Sequence, residues 1–241
     1  MNVLDLFAGI GGFSLGLERA GFKTVAFCEI EPFCRKVLKK HWPDIPIYED
    51  VKTIDLEKLQ GTEIITAGFP CQDISHAGEC AGISQTRSGL WWQARRCIRM
   101  VRPRLAVLEN VAALLNRGMG TVLGSLAKIG YDTEWHCIPA SAVGARHIRD
   151  RVFIFATPGE MDNADGFDSR RFLRSAPTEK WRVQDDTKRP CFGWGDWAGE
   201  PGMARVADGI PNRSHRLKGL GNAIVPAIAE LIGRAIYEPQ K

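Results

Sequence analysis

The sequence lacks the patterns that mark metal-bound and disulfide-linked proteins. Its seven cysteines include no Cys-x-x-Cys pair, and its five histidines include no His-x-x-x-His pair. An odd number of cysteines without such spacings argues against a structural zinc site and against a disulfide framework. We therefore expect no metal, and we expect most of the thiols to be small residues of the core.

Long apolar runs and a strong excess of one charge are also missing. No run approaches the ~20 apolar residues that span a bilayer, and the first residues lack the basic start and cleavage site of a signal peptide. The 32 Lys and Arg against 28 Asp and Glu give a formal net charge of +4, which permits nucleic-acid binding without arguing strongly for it. We expect a cytoplasmic protein that does not enter the membrane.

The sequence does contain alternating strand-like and helix-like segments. Strands are predicted at 2–7, 23–28, 45–48, 63–67, 105–108, 131–138 and 152–156. Helices are predicted after the first strand up to Gly21, at 32–41, from about Trp91, and at 224–236. This alternation predicts an α/β protein with a doubly wound, mostly parallel sheet of about seven strands, whose ligands bind at the carboxyl ends of the strands.

The segment 157–216 differs in composition from the rest of the chain. It is rich in Gly, Pro, Asp, Arg and Trp, and it has no helical or strand periodicity. Its tryptophans argue against full disorder. We therefore predict a catalytic and cofactor-binding domain at 1–156, a small irregular region at 157–216, and a return to the first domain at 217–241.

A glycine-rich turn after the first strand predicts a nucleotide cofactor. Phe7-Ala8-Gly9-Ile10-Gly11-Gly12 leads from the strand into a helix, and Glu29, about 20 residues on, could accept from both hydroxyls of a ribose. This much fits NAD and S-adenosylmethionine equally. Asp50, at the end of the third strand, could accept from an adenine amino group and favours S-adenosylmethionine. Either acid could instead be a helix cap or a surface carboxylate.

Cys71 is the candidate nucleophile, because it follows Pro70 in the turn after the strand 63–67. A thiolate that adds to carbon 6 of cytosine makes carbon 5 nucleophilic toward a methyl donor. Glu109, at the end of the strand 105–108, could stabilise charge at ring N3 if burial keeps it protonated. The alternatives are an inert buried thiol and a carboxylate that caps the next helix.

Two arginines precede the last predicted strand of the sheet. Arg149 and Arg151 alternate along an extended chain and therefore project to the same side. One could reach the cytosine O2, and the other could brace the site or bind a phosphate. The alternative is an edge strand with solvated arginines.

In their order along the chain, these motifs resemble those of the DNA (cytosine-5)-methyltransferase family. The matching segments are Asp5 to Gly12, Glu29-Ile30, Asp50-Val51, Gly68-Phe69-Pro70-Cys71-Gln72, Arg87 to Leu90, Glu109-Asn110-Val111, Gly144 to Arg151, and Gly221-Asn222-Ala223-Ile224-Val225-Pro226. The resemblance covers about 1–156 and 220–236, which is most of the chain.

The resemblance implies a Rossmann-like methyltransferase sheet, S-adenosylmethionine as donor with S-adenosylhomocysteine as product, and double-stranded DNA as substrate. It implies that the cytosine is flipped out of the duplex and that 157–216 recognises the target. The implied catalytic residues are Cys71, Glu109, Arg149 and Arg151. The implied cofactor-binding residues are Phe7, Ala8, Gly9, Gly11, Gly12, Glu29, Ile30, Asp50, Val51, Pro70, Leu90, Asn222 and Ala223.

The chain also departs from the family pattern. His147 stands where the family commonly has Gln, Arg146 where it commonly has Pro, and the recognition region is short. Two alternatives stay open, an RNA-directed relative that methylates tRNA cytosine and an inactive DNA-binding descendant. No obligate protein partner is evident, and the resemblance leaves open a companion restriction endonuclease.

Overall fold

The computed structural model of the chain describes residues 1–70, 89–145, 149–159 and 219–237. The strands are β1 (Asn2–Leu6), β2 (Lys23–Cys28), β3 (Ile47–Tyr48), β4 (Ile64–Gly68), β5 (Leu105–Val111), β6 (Tyr131–Pro139) and β7 (Asp150–Pro158). The helices are α1 (Gly12–Arg19), α2 (Pro32–His41), α3 (Gly89–Val101), α4 (Met119–Ala127) and α5 (Pro226–Tyr237). Short 3-10 turns lie at Glu57–Leu59, Ala112–Leu115 and Ala140–Val143.

The seven strands form one sheet in the order β3-β2-β1-β4-β5-β7-β6. Strands β1 to β5 pair in parallel, and β7 is antiparallel to both of its neighbours. The prediction of a doubly wound, mostly parallel sheet is thus confirmed. The strand order reverses between β1 and β4, and the crevice at this reversal lies above the carboxyl ends of both strands.

The core lies on both faces of the sheet. Successive strand residues point to opposite faces, so Val3 joins the buried cluster that contains Phe13 of α1 and Ile228 of α5. Leu4 joins the cluster on the other face, which contains Trp91 of α3. Helices therefore cover the sheet on both sides, and its carboxyl edge is left for a site.

Helix α5 packs closely against α1 through small residues. A Cβ on Gly16 would lie 2.2 Å from the Pro226 carbonyl oxygen and 2.5 Å from the Ala229 Cβ. Within the described part of the chain, the segment Gly219–Ile236 has the length and hydropathy of a membrane span, but 44% of it is buried inside the protein. Ile228 and Ile232 are almost fully buried, so we assign α5 as a core helix.

Several elements differ from the predictions at their ends. Strand β5 continues to Val111 because it pairs antiparallel with β7 from Val111 with Arg151 to Ala106 with Ala156. Strand β7 continues to Pro158 because its last residue pairs with Tyr131 of β6. Thr157 therefore belongs to β7 rather than to the irregular segment. Strand β3 is shorter than predicted, α3 begins at Gly89, and α4 was not predicted at all.

Candidate active site

The glycine-rich turn lies between β1 and α1 at the carboxyl edge of the sheet. Phe7, Gly9 and Gly11 all have positive φ angles, of 55°, 55° and 88°. A Cβ on Gly11 would lie 2.6 Å from the Trp42 ring, whereas one on Gly9 would meet nothing within 4 Å. The turn is therefore closed toward α2 at Gly11 and open at Gly9, where a ligand could approach the backbone.

Glu29 lies directly after β2 and faces this turn. Its Oε2 accepts from the Gly9 amide at 2.7 Å, and its Oε1 accepts from the Glu31 amide at 2.7 Å. A carboxylate has about four acceptor positions, so Glu29 retains capacity for two hydroxyl donors. The Ile30 side chain beside it is 69% exposed, which offers an apolar surface at the same edge.

Asp50 follows β3 and opens a tight turn. Its Oδ1 accepts from the Lys52 amide at 2.9 Å, and its carbonyl oxygen accepts from the Thr53 amide at 3.1 Å. Val51 is buried in the core. One carboxylate oxygen of Asp50 thus holds the turn, which is neither the helix cap nor the simple surface carboxylate of the alternative, and the second oxygen can accept from a ligand.

The segment before α5 returns to the glycine-rich turn. A Cβ on Gly12 would lie 2.5 Å from the Ile224 carbonyl oxygen, and one on Gly219 would lie 3.4 Å from Ile10. Asn222 is exposed and Ala223 is half-buried. Residues from near the two ends of the sequence therefore meet at this turn, where the resemblance implies that Asn222 and Ala223 bind the cofactor.

The candidate nucleophile Cys71 lies outside the described residues, as do Arg146 and His147. The described chain runs as far as Pro70, which is exposed. Phe69 is 3% exposed, and its ring lies 4.9 Å from the Trp91 ring. Leu90, half-buried at the start of α3, packs against the same cluster. The residues 68–70, which we call the stem of Cys71, are thus anchored in the core through Phe69.

Glu109 and Arg151 form an ion pair on the neighbouring strands. The Arg151 Nε lies 2.8 Å from the Glu109 Oε1, and the two side chains are 20% and 11% exposed. Burial raises the pKa of Glu109, and the positive charges of Arg151 and Arg149 oppose that rise. Burial likewise lowers the pKa of Arg149. A Cβ on Gly68 would lie 3.4 Å from the Glu109 Oε2, so the acid borders the stem of Cys71.

Asn110 and Asp5 hold the site together, and the sequence motifs assigned neither of them a role. The Asn110 Nδ2 donates to the Phe69 carbonyl oxygen at 3.0 Å, and its Oδ1 accepts from the Val111 amide at 2.9 Å. The buried Asp5 accepts from the hydroxyls of Ser14 at 2.9 Å and Thr66 at 2.7 Å. Burial raises the pKa of Asp5 to about 7. The sequence signal that could have identified Asp5 is that it is the one acid within the apolar strand β1.

The four described cysteines behave as the composition predicts, with one exception. Cys28, Cys34 and Cys97 are buried, whereas Cys137 is exposed. Burial raises the pKa of Cys28 to about 12 and that of Cys97 to about 11, so both stay protonated at neutral pH. Among the described residues, no group of three or more His, Cys, Asp or Glu could hold a metal ion.

The sheet order and the glycine-rich turn define a Rossmann-like α/β protein with a candidate nucleotide-cofactor site. The model of the C-5 cytosine-specific DNA methylase family matches residues 1–190, and the chain belongs to that family. Strong curated relatives support the assignment. The Type II methyltransferase M2.BsuMI of Bacillus subtilis is 34% identical over 86% of this chain and 54% of its own length. M.Eco47II of Escherichia coli is 36% identical over 69% of this chain and 41% of its own length.

The solved structures support the fold. The S. pombe Dnmt2 methyltransferase matches with a TM-score of 0.59 at 18% identity, over 78% of this chain and 57% of that chain. At this identity the likeness concerns the fold alone. The chain spans about half the length of the curated relatives that it matches.

Proposed function

We propose that this chain transfers a methyl group from S-adenosylmethionine to carbon 5 of a flipped-out cytosine in double-stranded DNA, with Cys71 as the covalent nucleophile. The observation that carries the proposal is the buried Glu109 carboxyl, which Arg151 holds at 2.8 Å beside the stem of Cys71. An acid with a raised pKa beside the described residues that precede Cys71 is the proton donor that this reaction needs.

The proposed reaction starts when the Cys71 thiolate adds to carbon 6 of the cytosine. Glu109 donates a hydrogen bond or a proton to ring N3, so that electron density gathers at carbon 5. When bound, S-adenosylmethionine would supply the methyl group from its sulfonium to carbon 5 and would leave as S-adenosylhomocysteine. A base then removes the proton from carbon 5, and the freed electron pair reforms the double bond between carbons 5 and 6. The bond from carbon 6 to sulfur breaks to release the Cys71 thiolate, and N3 returns to Glu109 any proton that it received.

The cofactor proposal is supported by the fit of the described residues. Glu29 would accept from the ribose hydroxyls with the lone pairs that the Gly9 and Glu31 amides leave free. Ile30 would cover one face of the adenine, which would bury its exposed apolar side chain, and Asp50 would accept from the adenine amino group. The open Gly9 backbone would face the remainder of the ligand. The walls of the cofactor site would be completed by Ala8, Pro70, Leu90, Asn222 and Ala223.

The two arginines would have separate roles. Arg151 is paired with Glu109, so we assign it to positioning that acid and to limiting the rise of its pKa. Arg149 is then the candidate donor to the cytosine O2. An Arg that supports the acid and another that binds the base would together orient both sides of the ring.

Target recognition is assigned to 157–216, of which residues after 159 lie outside the described part. The catalytic residues account for one flipped base, and reading its neighbours needs polar side chains in the major groove. Since both curated relatives are named Type II methyltransferases, we extend the proposal to cytoplasmic DNA and to a companion restriction endonuclease. Replacing the segment with that of a relative should change the pattern of methylated cytosines.

The direct test is bisulfite sequencing of DNA from cells that express the wild-type chain or Cys71→Ser. Methylated cytosines should appear with the wild type and vanish with the variant, because a hydroxyl is a far weaker nucleophile than a thiolate. Cys97→Ser is the matched control, since this buried thiol should not matter. With 5-fluorocytosine DNA, a covalent adduct should form unless Cys71 is replaced. Methyl transfer to tRNA but not to duplex DNA would move the proposal to the RNA-directed alternative.

A further inference from the structure

Arg96 makes a tertiary contact that the methylation chemistry does not explain. This residue lies on α3, and one guanidinium nitrogen donates to the Val51 carbonyl oxygen at 2.8 Å and to the Lys52 carbonyl oxygen at 3.4 Å. Its Nε donates to the Gln93 Oε1 at 2.9 Å on the same helix. The guanidinium is thus oriented by its own helix and directed at the turn after β3.

The turn that Arg96 reaches has little support from the sheet. Strand β3 has two residues, Ile47 and Tyr48, and it pairs on one side only, with β2. The Asp50 carboxylate stabilises the turn locally through the Lys52 amide. A charge-assisted bond to two successive carbonyls therefore ties this turn to α3. Arg35 of α2 pairs with Glu49, the residue before the turn, at 3.3 Å.

We propose that Arg96 is a positioning residue that fixes the turn Asp50–Thr53 against α3 and thereby sets the adenine end of the cofactor site. This inference rests on the proposed function. Helix α3 begins beside Leu90, which is also assigned to the cofactor site. By joining α3 to the turn, Arg96 holds Leu90 and Asp50 in one arrangement without touching the cofactor.

The adjacent residue provides a matched control. The Arg95 Nε donates to the Ser125 carbonyl oxygen at 2.8 Å, which ties the same helix to α4 rather than to the turn. Both arginines make a bond from a guanidinium to a main-chain carbonyl over a comparable distance. Replacing either one should cost similar stability, whereas only Arg96 should affect the turn.

The experiment is calorimetry with S-adenosylhomocysteine and with its inosine analogue, in which an oxygen replaces the adenine amino group. Arg96→Ala should raise the Kd of S-adenosylhomocysteine about tenfold, or ~1.4 kcal/mol, and Arg95→Ala should leave it within about twofold. Wild type should discriminate against the analogue, and Arg96→Ala should reduce that discrimination toward unity, because a displaced Asp50 no longer receives the amino group.

Thermal unfolding of each variant separates positioning from a general loss of stability. Similar melting temperatures for Arg95→Ala and Arg96→Ala with different Kd values would support the inference. Equal Kd values, or an unchanged discrimination against the analogue, would overturn it. If Arg96→Ala does not fold, Arg96→Lys takes its place, because lysine keeps the charge without the planar fork. Arg96→Lys should show an intermediate loss of affinity and of discrimination against the analogue. A wild-type Kd and discrimination in Arg96→Lys would then overturn the inference. A wild-type chain that binds no S-adenosylhomocysteine would instead refute the proposed function.

Discussion

The ion pair of Glu109 and Arg151 predicts a stability loss that depends on pH. In Arg151→Gln the buried carboxyl loses its nearest cation, whose Nε lies 2.8 Å from Oε1. At an effective dielectric of ~20 the Coulomb attraction over this distance is about 6 kcal/mol before desolvation. Removing one partner of a buried pair typically costs about 3–5 kcal/mol. Since Arg151 keeps 20% of its side chain exposed, we expect about 3 kcal/mol where Glu109 is ionised.

The sign of the pH effect follows from the raised pKa of Glu109, which burial causes and Arg151 opposes. As pH rises, the unfolded chain loses this proton before the folded protein does, so stability falls from the unfolded pKa up to the folded one. Without Arg151 the folded pKa rises further and the fall is larger. The loss in Arg151→Gln should therefore be about 1 kcal/mol near pH 5, as for a neutral hydrogen bond, and about 3 kcal/mol at pH 8.

Urea unfolding of wild type, Arg151→Gln, Glu109→Gln and the double variant measures this coupling. The double-mutant cycle should give an interaction free energy of about 2 kcal/mol at pH 8 and less at pH 5. Glu109→Gln should also lower kcat for methyl transfer by about 10²–10⁴-fold, because the amide cannot transfer a proton. Additive single effects, or the same loss at both pH values, would refute the assignment of Arg151 as the partner that controls Glu109.

Three further predictions follow from other contacts. Burial raises the pKa of Asp5 to about 7, so the free energy of unfolding of the wild type should fall by up to about 4 kcal/mol as pH rises from 4 to 7. In urea unfolding, Asp5→Asn should show a flatter dependence of this free energy on pH. Gly16→Ala, whose Cβ would lie 2.2 Å from a carbonyl oxygen, should cost about 2 kcal/mol or more. Gly124→Ala is the control, because its Cβ would meet nothing within 4 Å, and it should stabilise the protein by about 0.5–1 kcal/mol. Equal melting temperatures for the two alanine variants would contradict the packing argument. Asn110→Ala should lower kcat at least about tenfold with the Kd of S-adenosylhomocysteine unchanged, and wild-type kcat would show that its bond to Phe69 is dispensable.

Local sequence patterns were sufficient to predict the bounds of elements whose structure depends mainly on their own residues. Strand Lys23–Cys28 and helix Pro32–His41 were predicted with the bounds that the structure has. A buried parallel strand reads as a continuous apolar run, and proline is preorganised for the first turn of a helix. Helix Met119–Ala127 was missed because its two glycines lower helix propensity, and its stability comes from packing Val122 and Leu126 into the core.

Strand ends were less predictable, since they depend on partners. Strand β5 reaches Val111 because β7 pairs with it there, and nothing in the residues after Leu108 encodes that pairing. The same sheet explains why motif positions were informative. The carboxyl ends of parallel strands lie on one edge, so the places of Glu29, Asp50 and Glu109 in the sequence put them at the same edge of the sheet, and their assignment to one site stays a prediction.

The sequence by itself determined the order of the motifs, the alternation of strands and helices, and the residue types available for chemistry. Only the tertiary structure decided which groups meet. Arg151 rather than Arg149 contacts Glu109, Asn110 binds a carbonyl 41 residues away, and Arg96 binds one 45 residues away. These contacts join separate elements, and their geometry depends on how the helices and strands pack, which no local spacing in the sequence specifies.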